Sequence, residues 1–251
     1  MNVTNGYDVM AAEGGGFHAP GPGSFELPPV FYVGDFGVTK PMLMLMLSAV
    51  IVVGFAYLSS RKAAMVPGRL QFAGEQVYGF VRNSLARENI DGKHFMMFVP
   101  YLFSLFLFIL VNNYYGILPF FQFPSFSRIG FVLPLALVSW AIYIGAGMWK
   151  HGVLGYLKHQ SVPPGITGPI LILLVPLEFM SNILVRPVTL ALRLFANMFA
   201  GHLLLILFAL GGEYLLLHGA TLVKPVGILA WLLFIAISFL ELLIQFLQAY
   251  V

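Results

Sequence analysis

The sequence predicts an all-α integral membrane protein, with about five membrane-embedded helices and one amphipathic helix at the membrane surface. Hydrophobic residues make up 59% of the 251 residues and charged residues only 9%, whereas a soluble domain carries about 25% charged residues. The apolar residues form runs near or above the roughly 20 residues that one helical crossing needs. The basic residues cluster between these runs, where such residues set membrane orientation.

Cysteine usage, charge placement and histidine spacing exclude several kinds of site. The chain contains no cysteine, so disulfides, thiolate metal sites and cysteine nucleophiles are excluded. The net charge of +3 does not indicate a nucleic-acid partner, because the basic residues lie mostly in loops beside the apolar runs. The histidines form no HExxH motif and no close cluster with an acid, so we expect no metal ion and no cofactor.

Residues 1–39 differ in character from the rest of the chain. They carry four acidic residues and no Lys or Arg before Lys40, and the runs GGG and APGPG indicate irregular structure. Because positive charge marks the cytoplasmic side, we expect an acidic, loop-like arm outside the membrane. The arm lacks the basic start and apolar core of a cleavable signal peptide. Residues 40–251 are expected to form a single membrane domain.

The first crossing is predicted at residues 41–58, with the N-terminus outside. Six of the 13 basic residues follow within 61–93, and they are Arg61, Lys62, Arg69, Arg82, Arg87 and Lys93. This asymmetry against the basic-free arm places the C-terminal end of the first helix in the cytoplasm. Between residues 70 and 88 apolar residues recur at helical spacing among polar ones, which predicts an amphipathic helix on the inner membrane surface.

Two crossings of ordinary length follow, at residues 95–115 and 129–149. The run SVPPG at 161–165 then indicates a break. The next apolar segment, 166–210, contains three prolines (Pro169, Pro176 and Pro187) and is too long for a perpendicular crossing, so it must be kinked or tilted.

Gly211-Gly212 is expected to end the long segment, and a loop over 213–224 leads to the last crossing at 225–251. The last two crossings are thus predicted to be a long, tilted hairpin whose end lies in the cytoplasm. The chain stops at Gln-Ala-Tyr-Val without a polar tail or basic anchor, so we expect further helical turns beyond Val251.

Arg193 is the residue with the highest free-energy cost of membrane insertion. It lies within the apolar run RPVTLALRLFANMFAGH, with no acid within eight residues on either side, and a central Arg in a crossing costs about 2.5–3.5 kcal/mol on insertion scales. At about 100° per residue, Arg186, Arg193 and Asn197 share one helix face, beside small residues that keep the surface thin. Because a guanidinium is always charged, we expect this face to meet either a polar or charged group of another chain or a water-filled cavity.

The same run closely resembles the signature RPV(S/T)LxLRLFxNMxAG of the a subunits (subunit 6) of bacterial-type F-type ATP synthases. The match is nearly continuous from Arg186 to Gly201, and the wider resemblance extends from about residue 70 to the end. It implies a proton-translocating stator in the bacterial plasma membrane, with the c-ring and b-type stalk subunits as partners. It also implies that the chain is not itself an enzyme, because the nucleotide sites lie on other subunits.

The resemblance assigns roles to individual residues. Arg193 would be the charge that the c-ring carboxylates pass, and Asn197 would line the same face. His202 and Glu241 would be a titratable pair in the outer proton half-channel. Further proton-path candidates are Gln245 and Gln248, which share a helix face with Glu241, the pair Asn112 and Asn113 in the outer turn NNYYGILP, and Glu178 and Ser181, which with Asn182 would line the inner half-channel.

Each of these residues also has a structural interpretation. Arg193 could snorkel to an interface, and Asn197 and the two glutamines could make helix–helix hydrogen bonds of roughly 0.6 kcal/mol. The histidine and glutamate could be a buried ion pair, and the asparagine pair could cap a helix at the interface. Arg186 is expected to be mainly a structural anchor near the inner headgroups or a partner of Glu178.

Two other functions compete with the stator. A stand-alone secondary ion or solute transporter predicts repeat symmetry and a site between discontinuous helices, and the sequence shows neither. An intramembrane hydrolase is poorly supported, because all three aspartates lie outside the crossings and no GxSxG motif occurs.

Overall fold

The computed structural model describes residues 21, 29–33, 35–61, 66–90, 95–118, 124–161, 170–218 and 221–251. Within them the helices are α1 (Lys40–Ser60), α2 (Arg69–Phe80), α3 (Arg87–Asn89), α4 (Phe95–Tyr114), α5 (Ile129–His151), α6 (Val153–Ser161), α7 (Leu171–Phe179), α8 (Arg186–Leu217) and α9 (Lys224–Tyr250). π-Helical segments join α2 to α3 (Val81–Ala86) and α7 to α8 (Met180–Val185), and a 3₁₀ turn at Ser125–Ser127 precedes α5.

Five helical stretches of the described residues are long and apolar enough to cross a membrane, namely Lys40–Ser60, Phe95–Tyr114, Ile129–Lys150, Leu173–Leu217 and Lys224–Tyr250. They confirm the prediction of an all-α integral membrane protein. The bounds of α1, α4, α5 and α9 agree with the predicted crossings to within two residues. The predicted amphipathic helix is also present, as the run of α2, its π-helical segment and α3.

The end of the N-terminal arm is not a loop, contrary to the expectation. β1 (Phe31–Val33) and β2 (Phe36–Val38) pair as antiparallel strands, with Phe31 opposite Val38 and Val33 opposite Phe36. Aromatic and β-branched residues on both sides of a Gly-Asp pair favour such a hairpin, and the acidic, Gly-rich composition of the arm hid this short signal. Most of the remaining arm lies outside the described residues.

The expected break at Gly211-Gly212 is wrong, because α8 continues through both glycines to Leu217. A Cβ built on Gly212 would lie 2.7 Å from Cδ1 of Trp231 on α9. Conversely, a Cβ on Gly227 of α9 would lie 2.8 Å from Cγ of Leu216. These glycines therefore serve close packing of α8 against α9 rather than helix termination.

The long apolar segment is one helical run from Leu171, with a change to π-helix at Met180. Pro176 lies four residues before this change. Helix α6 ends at Ser161, which is the first residue of the SVPPG run where a break was predicted. Residues 162–169, which hold the rest of SVPPG and Pro169, lie outside the described residues. α8 alone has 32 residues, which at about 1.5 Å per residue exceeds the hydrocarbon thickness of a membrane.

The chain divides into two compact units. The first unit comprises Met1–Ser125 and Ala200–Val251, and the second comprises Phe126–Phe199. In the first, α4 packs against α1, α9 and the π-helical segment after α2. The rings of Phe80, Phe106 and Phe246 lie with centroids 5.7–6.2 Å apart, so they fasten the amphipathic helix onto α4 and α9.

The second unit is built by α6, which packs against both α5 and α7. The ring of Tyr156 lies directly against Gly147, where a Cβ would overlap it. The Tyr156 ring also meets Tyr143 edge-on, with centroids 6.3 Å apart. The short helix α6 is thus held on α5 by aromatic packing over a glycine.

Candidate functional site

A stripe of polar side chains on α9 is buried, although α9 is otherwise apolar. Glu241, Gln245 and Gln248 are 6%, 3% and 7% exposed, whereas Leu243 and Leu247 between them are about half exposed. Spacings of four and three residues place the stripe on one helix face. Burial of an acid and two amides in a membrane helix costs free energy. We therefore regard this helix face as the candidate functional site.

The Glu241 carboxyl packs directly on the backbone of Gly201 in α8. A Cβ built on Gly201 would overlap the carboxyl group, so this approach requires a glycine. Gln245 Nε2 donates a hydrogen bond to Glu241 Oε1 over 3.4 Å. The sequence analysis attributed the small residues near Arg193 to a thin helix surface, whereas in the structure Gly201 makes room for the Glu241 carboxyl.

The C-terminal end of α4 reaches the same place. Asn113 Nδ2 donates to the backbone oxygen of Gln245 at 3.0 Å. His202 is buried and hydrogen-bonds to the backbone of Gly116. Three helices therefore contribute to one set of side chains, namely Asn113, His202, Glu241 and Gln245. Together with Asn112, which adjoins Asn113 in the chain and is also buried, we call them the buried polar cluster.

The amides of this cluster present hydrogen-bond acceptors. Asn112 Nδ2 donates to Phe108 O and to Ser48 Oγ, both at 2.8 Å. Among the described residues no hydrogen-bond donor meets Asn112 Oδ1, Asn113 Oδ1 or Gln245 Oε1, and all three atoms are buried. Because buried amide oxygens ordinarily accept a hydrogen bond, these atoms are suited to accept hydrogen bonds from water molecules.

Ser48 is a member of this region that the sequence analysis missed. It is fully buried on α1, and its hydroxyl links Asn112 to the Leu45 carbonyl. The available signal was a lone polar residue in the most apolar stretch of the first crossing. A serine that bonds its own helix is common in crossings, which is why this signal was weak.

Arg193 lies on the exposed face of α8 in the second unit. Leu192 and Ala196 beside it are exposed, and Asn197 is half-buried. The opposite face, with Ala191, Leu194 and Met198, is buried. Among the described residues of the second unit, Arg193 makes no hydrogen bond or ion pair. The Arg193 side chain is therefore exposed on the surface of this unit.

A second polar network joins α5, α6 and α7. Asn182 Nδ2 donates to Glu178 Oε2 and to Gln160 O, both at 2.9 Å. Gln160 Nε2 in turn contacts the hydroxyls of Tyr143 and Tyr156. Burial, together with the hydrogen bond to Tyr143, raises the pKa of Tyr156 to about 12. Tyr156 is therefore neutral at physiological pH and acts by hydrogen bonding.

Arg186 takes part in this network through a partner that the sequence analysis did not suggest. Its Nη1 donates to Tyr143 OH at 2.8 Å, and its guanidinium lies 5.7 Å from the centre of that ring. Glu178, the partner considered from sequence, bonds Asn182 instead. Ser181 is exposed. In the part of the chain described, no group of three or more His, Asp or Glu side chains could hold a metal ion.

Comparison with known proteins identifies the family. Residues 42–251 match the model of the family described as ATP synthase A chain. The chain belongs to the ATP synthase A chain family. Similar proteins are the ATP synthase subunits a of Nocardioides sp. strain JS614 (63% identical, covering 97% of this chain and 91% of the relative), Pseudarthrobacter chlorophenolicus (46%, 97% and 91%) and Streptomyces lividans (38%, 97% and 86%).

Membership of the ATP synthase A chain family agrees with the resemblance seen at Arg186–Gly201. Together with the five apolar helices, it makes the chain a multi-pass membrane component of a bacterial F-type ATP synthase. Both the buried polar cluster and Arg193 lie inside the matched range. The β-strand pair before Lys40 lies outside it.

Proposed function

We propose that this chain is the proton-translocating stator of the ATP synthase membrane sector. In this proposal Arg193 faces the carboxylates of a c-ring, and two half-channels carry protons to and from those carboxylates. The observation that carries the proposal is the placement of Arg193. A permanent positive charge stands on an exposed face of a membrane helix, beside the exposed Leu192 and Ala196, and such a charge requires an anionic partner.

The chemistry of a carboxylate partner explains why an arginine is used. A carboxyl group in lipid is protonated, because burial without a partner disfavours its charged form. Next to Arg193 the same group ionises, because an adjacent cation favours the carboxylate. The guanidinium stays charged under all physiological conditions, so it also blocks direct proton hopping from one half-channel to the other.

The buried polar cluster supports the outer half-channel. Its acid, imidazole and three amide oxygens are held between apolar helices. Intramembrane ionisable groups of this kind mark ion or proton pathways. In the proposed path the amide oxygens of Asn112, Asn113 and Gln245 hold water, and His202 and Glu241 exchange the proton. Gln248, buried on the same stripe of α9, completes this lining.

The inner half-channel is assigned to the network around Glu178. Its carboxylate is half-buried and is held by Asn182, and Ser181 is exposed beside it. The proposal gives Glu178 and Ser181 the release path, Asn197 a place beside Arg193, and Arg186 the role of an anchor. The hydrogen bond and ring contact of Arg186 with Tyr143 support that structural role.

The proposal implies a rotary cycle. A proton from outside protonates a ring carboxylate, is carried by rotation of the ring and is released to the cytoplasm. Torque arises because the carboxylate ionises only beside Arg193 and the channels. The b-type stalk subunits hold the chain still, and nucleotide chemistry takes place on other subunits. We place the chain in the bacterial plasma membrane, with the N-terminal arm outside and the C-terminus in the cytoplasm.

Reconstitution of the purified chain alone tests this function against a stand-alone transporter. In vesicles with a pH gradient, the chain alone is expected to pass protons no faster than empty vesicles, because no ring carboxylates are present to carry them. Vesicles with the whole membrane sector, ring included, are expected to dissipate the gradient. Proton or solute transport by the chain alone at the rate of the whole sector would refute the stator proposal.

A further inference from the structure

The π-helical segment Met180–Val185 separates α7 from α8, and its last residue precedes Arg193 by eight positions. A π turn accommodates one more residue than an α turn. Each residue corresponds to about 100° of rotation about the helix axis. The direction in which Arg193 points therefore depends on whether this extra residue stays in the π turn.

Pro187 creates a carbonyl that needs an outside donor. In an α-helix the oxygen of Ile183 accepts from the N–H of residue 187, but proline has no N–H. In the structure the indole Nε1 of Trp140, on α5, donates to Ile183 O at 2.7 Å. Because a carbonyl facing an apolar medium without a partner is costly, this bond favours the backbone geometry that presents Ile183 O to α5.

Two residues near Ile183 make hydrogen bonds to α5 and α6. Asn182 donates to the backbone oxygen of Gln160 on α6, and Arg186 donates to Tyr143 OH on α5. Residues on both sides of Ile183 are thus fixed by side-chain contacts outside their own helix. Trp140 differs from the other donors because it bonds the one carbonyl that Pro187 leaves without its regular donor.

We infer that Trp140 is a positioning residue for Arg193. Its hydrogen bond to Ile183 O holds the π-helical segment and thereby sets the rotation of α8 that directs the guanidinium outward. The inference rests on the proposed function in one respect: the direction of Arg193 affects activity only if Arg193 faces the rotor. Trp140 itself touches neither the proton path nor the ring in this account.

The first test is ATP-driven proton pumping in inverted membrane vesicles with the assembled complex, relative to ATP hydrolysis. Trp140→Phe removes the donor and keeps an aromatic ring, and it is expected to lower pumping by about tenfold. Trp149→Phe, on the same helix but 71% exposed, is the matched control and should pump normally. Pumping by Trp140→Phe at the wild-type rate would overturn the inference.

Pro187→Ala provides a rescue that a general packing role for Trp140 does not predict. It restores an N–H at residue 187, which can donate to Ile183 O in place of the indole. The double variant Trp140→Phe with Pro187→Ala should therefore pump better than Trp140→Phe alone. A double variant that pumps no better, or worse, would contradict the assignment of the hydrogen bond to this carbonyl.

The orientation of α8 can be read directly, because the chain has no cysteine of its own. Single cysteines at Leu192, which is exposed, and Leu194, which is 2% exposed, are labelled with a thiol reagent in the purified full chain, because the ring would cover the face of Arg193 in the complex. Trp140→Phe should bring the two labelling rates towards equality, and Pro187→Ala should restore their ratio. An unchanged ratio in Trp140→Phe would overturn the inference. This readout does not depend on pumping, so it separates failure of the positioning role from failure of the stator proposal.

Discussion

Arg193→Ala is expected to abolish ATP-driven proton pumping while the complex still assembles and hydrolyses ATP. Two unit charges about 4 Å apart interact by about 4 kcal/mol at the effective dielectric of a protein surface. Loss of that attraction leaves the ring carboxylate protonated at the point where it must ionise. At about 1.4 kcal/mol per tenfold, pumping falls by about a thousandfold. The measurement is proton uptake by inverted vesicles, with ATP hydrolysis and the amount of assembled complex as references.

The matched control for this change is Leu192→Ala, which removes an exposed neighbour on the same helix face without altering charge. It should retain most of the pumping activity. Arg193→Lys adds a second comparison, because lysine keeps a positive charge but loses the planar, delocalised guanidinium. It should pump less than the wild type and more than Arg193→Ala. Pumping by Arg193→Ala at the wild-type rate would make Arg193 a structural residue and would end the stator proposal.

Gly201→Ala is expected to have the second-largest effect. The added Cβ occupies the place of the Glu241 carboxyl group, so the carboxyl must move away from α8 and from its contact with Gln245. The moving atoms are the end of a flexible side chain, so the fold survives. A misplacement of about 1 Å in a reacting group can lower a rate by about a hundredfold. We therefore expect a large loss of pumping with a normal amount of assembled complex.

The control for Gly201→Ala is Gly54→Ala in α1, where an added Cβ meets no atom within 4 Å. That change should be silent, because alanine favours a helix over glycine. Shortening the acid should relieve the overlap, so Gly201→Ala with Glu241→Asp is expected to pump better than Gly201→Ala alone. A Gly201→Ala variant that pumps like Gly54→Ala would show that the position of the Glu241 carboxyl is unimportant for transport.

The membrane helices could be predicted because their signals are strong and local. Apolar runs of about 20 residues mark α1, α4, α5 and α9, and their observed ends lie within two residues of the predictions. The break expected at Gly211-Gly212 failed for a tertiary reason. A pair of glycines signals a turn in water, but here Gly212 gives Trp231 room to approach α8, and no local rule contains that contact.

The π-helical segments could not have been predicted in the same way. The sequence near Pro176 and Pro187 indicates only that the helix is disturbed, since both residues lack an N–H. The donor that satisfies the freed carbonyl at Ile183 comes from Trp140, 43 positions away in the chain. The outcome of such a disturbance therefore depends on packing between α5 and the segment before α8, which no local pattern reports.

The candidate site could be predicted where its residues share one helix. The spacing of Glu241, Gln245 and Gln248 predicted a common face, and the structure buries all three. Contacts between helices could not be predicted from the spacing of residues. The bond between Asn113 and the Gln245 backbone joins residues 132 positions apart, and the part played by Ser48 rests on its contact with Asn112. The roles of these residues in proton transfer remain predictions of the proposed function.

The central claim, that the face of α8 bearing Arg193 meets the ring, is tested most directly by disulfide cross-linking. Single cysteines at Leu192 and Ala196, which are exposed, and at Leu194 and Met198, which are buried, are each combined with one cysteine beside the ring carboxylate. The chain contributes no background cysteine. We expect cross-links from positions 192 and 196 in the assembled complex, and few from 194 and 198. Cross-links from the buried pair alone, or from none of the four, would contradict the claim.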